Sequence, residues 1–214
     1  MIKRRKFPKV FFGWWTILVT GIISGLGNGF CNSGFSVLFK PLASEMGFSR
    51  ATTSFAVGIS RLAGGLLAPI TGWLADKFGP RWIIVIGICI LGIGLVLMNF
   101  ITSLWTYYIV WGVIIAAGND LALTITVDKA LTNWFVSKRG LAFGIRFMLI
   151  GISGIIVLPV VAWLVTTQGW RMTCLVWAAV MFASVPFAWY FVKQKRPEYY
   201  GLLPDRNRHK RHDR

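Results

Sequence analysis

Six apolar blocks, each long enough to cross a lipid bilayer as a helix, make up most of the chain. A bilayer core is about 30 Å thick, so a helix needs about 20 apolar residues to span it. Of the 214 residues, 56% are hydrophobic and only 14% are charged, whereas an ordinary soluble domain carries about 25% charged residues. We therefore predict an all-α fold, a six-span transmembrane helical bundle. The predicted spans cover residues 11–39, 51–75, 82–100, 104–127, 140–166 and 172–192.

Basic residues are shared unevenly between the two ends of these spans. With the N-terminus in the cytoplasm, 18 Lys and Arg residues flank the inner ends and 3 flank the outer ends. This split follows the positive-inside rule, so we expect both termini in the cytoplasm and the inner cell membrane as the location. Residues 1–10 and 193–214 are then basic cytoplasmic segments around a membrane domain of residues 11–192. For the tail we favour a solvated end over attachment to membrane lipid, the second interpretation that its charge allows.

The net charge of +16 is accounted for by this distribution. We expect no nucleic-acid partner, because no folded basic domain or aromatic platform accompanies the charge. Enzymatic activity is also not expected, since no nucleophile lies near a general base in the sequence pattern. The two histidines fall in the basic tail, and neither a metal site nor a cofactor is expected.

A short charged segment, GWLADKFGPR, joins the second and third predicted spans. Gly72 leaves a bare helix surface for close approach of another helix. Asp76 closes a helix whose own dipole disfavours an acid there, so it needs a basic partner or the N-terminus of another helix. Gly79 permits a tight turn, Pro80 suits the first position of the next helix, and Arg81 adds inner charge.

The same segment is similar to the signature loop of the major facilitator superfamily, G-x-x-x-D-x-x-G-x-R between spans two and three. Other stretches resemble the oxalate/formate antiporter and monocarboxylate transporter branch of that superfamily. They are FKPLASEMGFSRA (39–51), LLAPITGWLADKFGPR (66–81), NWFVSKRGLAFGI (133–145), GWR (169–171) and RPEYYGLLPD (196–205). The resemblance covers residues 11–205 and implies the N-terminal half of a twelve-helix transporter fold, built from two inverted three-helix repeats. AVGISR (56–61) and AFGIR (142–146) echo such a repeat, although chance similarity explains them equally well.

The resemblance implies secondary active transport of a small organic anion, a mono- or dicarboxylate, by alternating access. Substrate would pass between two halves, so a second six-helix half or a second copy is an expected partner. The residues that would form a conformational gate are Gly72, Asp76, Gly79 and Arg81. The alternative is a truncated, non-transporting membrane protein or a half-transporter that requires a second chain.

Three charged residues lie inside the predicted spans, where a charge normally faces a cavity or a partner. Asp120 and Arg146 fall at similar depth, and we predict that they pair, either as a structural lock or as a proton relay and substrate site. Arg61 lies near the midplane without an acid at its depth and suits a carboxylate, unless it bonds backbone carbonyls or reaches to the surface. The resemblance places spans one and four at the cavity. It adds three candidate substrate contacts, Asn28, Asn32 and Asn119.

Glycines recur at four-residue spacing in two spans. Gly21, Gly25 and Gly29 lie in the first span, and Gly140 and Gly144 begin the fifth. Small residues at this spacing let two helices pack closely within a membrane, where the hydrophobic effect does not hold helices together. We predict that both stripes are helix-packing surfaces.

Overall fold

The chain is built from helices that are interrupted by short π-helical stretches. The computed structural model describes residues 12–135 and 138–192. Their α-helices are α1 (Phe12–Asn28), α2 (Phe35–Met46), α3 (Arg50–Phe78), α4 (Pro80–Leu97), α5 (Leu104–Ile109), α6 (Ala116–Asn119), α7 (Ile125–Trp134) and α8 (Arg139–Phe191). π-Helical stretches at Gly29–Gly34, Val110–Ile115 and Asp120–Thr124 join neighbouring helices, and a 3₁₀ turn, Met98–Phe100, follows α4. The predicted terminal segments, 1–10 and 193–214, lie outside the described residues.

Several of these helices are long and apolar enough to cross a bilayer, which confirms an all-α, multi-pass membrane fold. In the described ranges, four stretches meet this condition by length and composition: Ala51–Phe78, Pro80–Phe100, Leu104–Thr132 and Arg139–Phe191. The last is 53 residues long, or about 80 Å at helical rise, more than twice the thickness of a bilayer core. Gly169, at φ 81°, interrupts it between the predicted fifth and sixth spans. The exact number of six spans stays a prediction.

The first helical region, α1 to α2, packs closely on α8 through the predicted glycine stripe. A Cβ atom added at Gly25 would lie 2.5 Å from Cβ of Ser153, so the two helices approach too closely for a larger residue there. The contacts along this seam are Gly21 with Leu149, Gly25 with Ser153 and Gly29 with Val157. Gly140 and Gly144, by contrast, have no described atom within 4 Å of an added Cβ. The stripe in the first span is confirmed as a packing surface, and the second stripe has no neighbour within the described part of the chain.

The α4 helix lies in the middle of the bundle and is held close to the fourth helical region. A Cβ added at Gly87 would lie 2.5 Å from the backbone nitrogen of Ala122, and one added at Gly118 would lie 2.5 Å from that of Leu91. These two glycines therefore let the backbones of α4 and of the α6 region cross in direct contact. The crossing fixes the position of the adjacent polar residues Asn119 and Asp120.

The α7 helix ends at Trp134, seven residues beyond the predicted end of the fourth span at Val127. The charged residues Asp128 and Lys129 indicate a loop in the sequence, but both lie within the helix. Each has an oppositely charged partner on another helix, so the helix continues without leaving an unpaired charge.

Candidate functional site

A polar cavity of about 430 Å³ lies between the α1–α2 region, α3 and the α6 region. Its lining brings together five of the residues singled out in the sequence: Asn28, Asn32, Arg61, Asn119 and Asp120. Apolar side chains complete the wall, among them Phe35 and Trp111. The cavity is large enough for a small organic molecule and offers charge of both signs.

The two asparagines of the first helical region are linked by a hydrogen bond. Asn28 donates from Nδ2 to the carbonyl of Ser24 at 3.1 Å, and its own Oδ1 accepts from Nδ2 of Asn32 at 3.3 Å. The change from α-helix to π-helix at Gly29–Gly34 falls between them. Asn32 is exposed at the cavity, and its amide oxygen is not used in this link.

Asn119 contributes a buried acceptor that has no partner among the described residues, its side-chain Oδ1. An unsatisfied buried polar atom destabilises a fold by about 1–3 kcal/mol. Asn119 also lines the cavity, next to Asp120.

Arg61 and Asp120 stand in the same cavity without forming an ion pair, either with each other or with another described residue. Arg61 is exposed on α3. The carboxylate of Asp120 lies against Gly64, where any side chain would collide with it. Gly64 therefore makes the room that the carboxylate occupies, three residues along α3 from Arg61.

Arg146 pairs with Asp128, so the predicted pair between Arg146 and Asp120 is wrong. Its Nη1 contacts Oδ1 of Asp128, and its Nη2 donates to the carbonyl of Leu123 at 2.5 Å. Arg146 is 2% exposed, which means that a guanidinium at this place needs both partners.

The reason for this difference is the length of α7. Asp128 lies six residues before the end of α7 at Trp134, and Arg146 lies seven residues after the start of α8 at Arg139. At 1.5 Å per residue these depths are about 9 Å and about 10 Å. In the sequence, the apolar block ends at Val127. The prediction therefore placed Asp128 in a loop and took Asp120 as the partner of Arg146.

A second cavity, of about 570 Å³, contains the Arg146–Asp128 pair. Asn28, Asn32 and Thr124 line both cavities, so the pair lies next to the first cavity, on the other side of these shared residues. Arg146 is thus adjacent to the predicted site and lies outside the group that contains Arg61.

The turn between α3 and α4 is attached to α7. The Lys129 ammonium pairs with Asp76 and also donates to the carbonyl of Gly72 at 3.0 Å. Gly79 has φ 84°, which is strained for other residues, and Pro80 occupies the first turn of α4. Lys129 is thus the basic partner that Asp76 was expected to need.

A polar cluster of Glu45, Trp170 and Arg171 at the opposite end of the bundle was not predicted from the sequence. Glu45 accepts hydrogen bonds from Nε1 of Trp170 at 2.5 Å and from Nε of Arg171 at 3.1 Å. Arg171 also donates to the carbonyl of Asn99 at 2.5 Å. The indole hydrogen bond, with the contributions of Arg171, lowers the pKa of the Glu45 carboxyl below its ordinary value. These residues belong to two stretches that carry the family resemblance, 39–51 and 169–171. Nothing in the sequence indicated that the two stretches are in contact.

Comparison with known proteins shows similarity to one family model and to several membrane transporters. Residues 11–211 match the family model of the Major Facilitator Superfamily. Monocarboxylate transporter 13 of Rattus norvegicus is 30% identical over 84% of the chain and 42% of its own length. The probable sulfoacetate transporter SauU of Cupriavidus necator is 29% identical over 73% of the chain and 36% of its length. Monocarboxylate transporter 1 of Mus musculus is 36% identical over 62% of the chain and 27% of its own length. The chain spans less than half the length of these curated relatives.

Proposed function

Because the chain belongs to the major facilitator superfamily, we propose that it acts as the N-terminal half of a secondary active transporter for a small organic anion, a mono- or dicarboxylate. The observation that carries this proposal is Arg61, which lines a cavity of about 430 Å³ without an ion-pair partner among the described residues. The names of the relatives, two monocarboxylate transporters and a probable sulfoacetate transporter, support an organic acid as the substrate class.

Arg61 is the proposed anchor of the substrate carboxylate. A guanidinium presents parallel N–H donors that match the two oxygens of a carboxylate. Asn28, Asn32 and Asn119 line the same cavity and are proposed to fix the rest of the substrate through their amide groups.

Asp120 is the proposed site of proton coupling, unless a counter-anion drives the exchange. It faces the cavity and has no ion-pair partner in the described part of the chain. A carboxyl group in this position can gain or lose a proton without breaking an internal ion pair. The adjacent Arg146–Asp128 pair is proposed to hold α7 and α8 together.

Alternating access would require a second six-helix half or a second copy to close the cavity. The turn that contains Gly72, Asp76, Gly79 and Arg81 is the proposed conformational gate, supported by its attachment to α7 through Lys129. The distribution of basic residues supports an inner-membrane location with both termini in the cytoplasm.

A non-transporting membrane protein, or a half-transporter that requires a second chain, is the second candidate. Uptake of labelled formate, oxalate and lactate by proteoliposomes separates the candidates when the chain is tested alone and with a second six-helix half. Uptake in either preparation supports transport, and uptake only with the second half identifies a half-transporter. If no labelled acid enters either preparation, the transport proposal is wrong.

A further inference from the structure

The turn between α3 and α4 carries two cations whose neighbours are aromatic rings. The Nζ atom of Lys77 lies 4.8 Å from the ring centroid of Trp73 and 5.5 Å from that of Phe78. The guanidinium carbon of Arg81 lies 4.0 Å from the ring centroid of Trp189, near the end of α8. Across residues 12–135 and 138–192, neither cation has an acidic partner.

The nearest acid in the sequence is already engaged. Asp76 pairs with Lys129 of α7, so it does not neutralise Lys77 or Arg81. The Nε atom of Arg81 is buried and lacks a hydrogen-bond partner among the described residues. Stacking on a ring does not satisfy the N–H groups of a guanidinium, which carries five donors and no acceptor. No described acid neutralises Arg81, so its guanidinium can pair with an anion from outside the described residues.

The surroundings of Arg81 indicate where that acceptor comes from. Trp82 packs edge-on against Trp189, with ring centroids 4.7 Å apart. The indoles of Trp82 and Trp189 are 45% and 39% exposed on the surface of the bundle, where the start of α4 meets the end of α8. Exposed tryptophans at the ends of membrane helices lie at the level of the lipid headgroups. A phospholipid presents its phosphate at this level of a membrane.

We propose that Arg81, Trp82 and Trp189 form a binding site for the headgroup of an anionic phospholipid. The phosphate accepts from the Arg81 guanidinium, and the two indoles hold the interfacial part of the lipid. Lys77 adds positive charge on the same turn. This site lies apart from the Arg61 cavity. Arg81 also belongs to the turn proposed as the conformational gate, but binding of a lipid there does not require transport.

Arg171 provides a matched comparison within the same chain. Its guanidinium carbon also lies over a tryptophan, 4.5 Å from the ring centroid of Trp170. Unlike Arg81, Arg171 donates to Glu45 and to the carbonyl of Asn99. Two arginines thus share the aromatic contact and differ in whether the protein supplies the acceptor. Of these two arginines, Arg81 is the one without a described acceptor.

Native mass spectrometry of the full chain, purified with phosphatidylglycerol and phosphatidylcholine, tests this site. We expect the wild type to retain phosphatidylglycerol in preference to phosphatidylcholine. Arg81→Gln should lower phosphatidylglycerol retention by about fivefold, the change expected from one basic residue near an anionic membrane surface. Arg171→Gln should leave retention unchanged, and Arg81→Lys, which keeps the charge, should retain more phosphatidylglycerol than Arg81→Gln.

Three results would overturn the proposal. They are equal retention of the two lipids by the wild type, unchanged retention in Arg81→Gln, and an equal decrease in Arg171→Gln. The helical content of each variant, measured by circular dichroism, shows whether it is folded. If Arg81→Gln does not fold, the comparison of Arg81→Lys with the wild type decides, because a lysine lacks the planar fork and should weaken retention. If Arg81→Lys then retains as much phosphatidylglycerol as the wild type, the proposal that the Arg81 guanidinium binds the lipid phosphate is wrong.

Discussion

The guanidinium of Arg146 on α8 is held by the carboxylate of Asp128 on α7, with the carbonyl of Leu123 as a second acceptor. The pair joins two helices that follow each other in the chain, at a depth where an isolated charge is unfavourable. Both Asp128 and Arg146 line the cavity next to the one that contains Arg61. Through Leu123, the pair is attached to the chain next to Thr124, a residue of the wall that the two cavities share.

Removing Asp128 should destabilise the protein more than removing Asp120. Asp128→Asn leaves the buried Arg146 guanidinium without its counter-charge, and we expect a loss of about 2 kcal/mol in the free energy of unfolding. Asp120→Asn breaks no ion pair and is the matched control. Unfolding in detergent, followed by circular dichroism, measures both. Replacing both partners, Asp128→Leu with Arg146→Met, should restore part of the stability, and equal losses for the two single variants would contradict the pairing.

The Glu45 cluster should make stability depend on pH in the acid range. The folded-state pKa of Glu45 lies below its ordinary value of 4.5, so its hydrogen bonds stabilise the fold above that value. This contribution is lost as the pH falls from 4.5 through the lower folded-state pKa. Thermal midpoints of the wild type and Glu45→Gln should therefore differ at neutral pH and converge in acid. If the thermal midpoints of the two proteins differ by the same amount from neutral to acid pH, the Glu45 charge does not contribute to stability.

The seam between α1 and α8 should not accept a side chain at Gly25. A Cβ there would collide with Ser153 and lie 3.3 Å from the carbonyl of Leu149. Gly25→Val should destabilise the protein by about 1–3 kcal/mol, as overpacking of a close contact does. Gly144→Val is the control, since no described atom lies within 4 Å of an added Cβ. Unfolding of the two variants in detergent measures the difference, and equal destabilisation would contradict this close packing.

The contact between Lys129 and Asp76 should be weak and sensitive to salt. The Asp76 side chain is 70% exposed, so we expect a coupling energy below about 1 kcal/mol. A double-mutant cycle of Asp76→Asn and Lys129→Gln, measured by unfolding at low and high ionic strength, gives this energy. The coupling should decrease as salt is added. Additive effects at low ionic strength would mean that the two charges do not interact.

Local sequence features predicted much of the fold because they depend on neighbouring residues alone. Apolar length predicted membrane helices, and Gly79 and Pro80 predicted the turn that joins α3 to α4. The spacing of Gly21, Gly25 and Gly29 predicted the face that packs on α8.

The features that were predicted wrongly or not at all depend on contacts between distant parts of the chain. The length of α7 depends on partners of Asp128 and Lys129 that lie on other helices, which hydropathy does not show. Glu45 and Trp170 are separated by 125 residues, and no local pattern indicates that they meet. The π-helical stretches likewise have no signal in hydropathy, although one of them begins at Asp120 of the cavity.

The central claim, that Arg61 binds a carboxylate in the cavity, is tested most directly by ligand-dependent thermal stability of the purified chain. We predict that formate, oxalate or lactate raises the unfolding midpoint more than chloride does at equal ionic strength. Arg61→Gln should abolish this difference, whereas Lys40→Gln, which removes an exposed charge outside the cavity, should keep it. A carboxylate-dependent shift that is the same in Arg61→Gln and in the wild type would contradict the account.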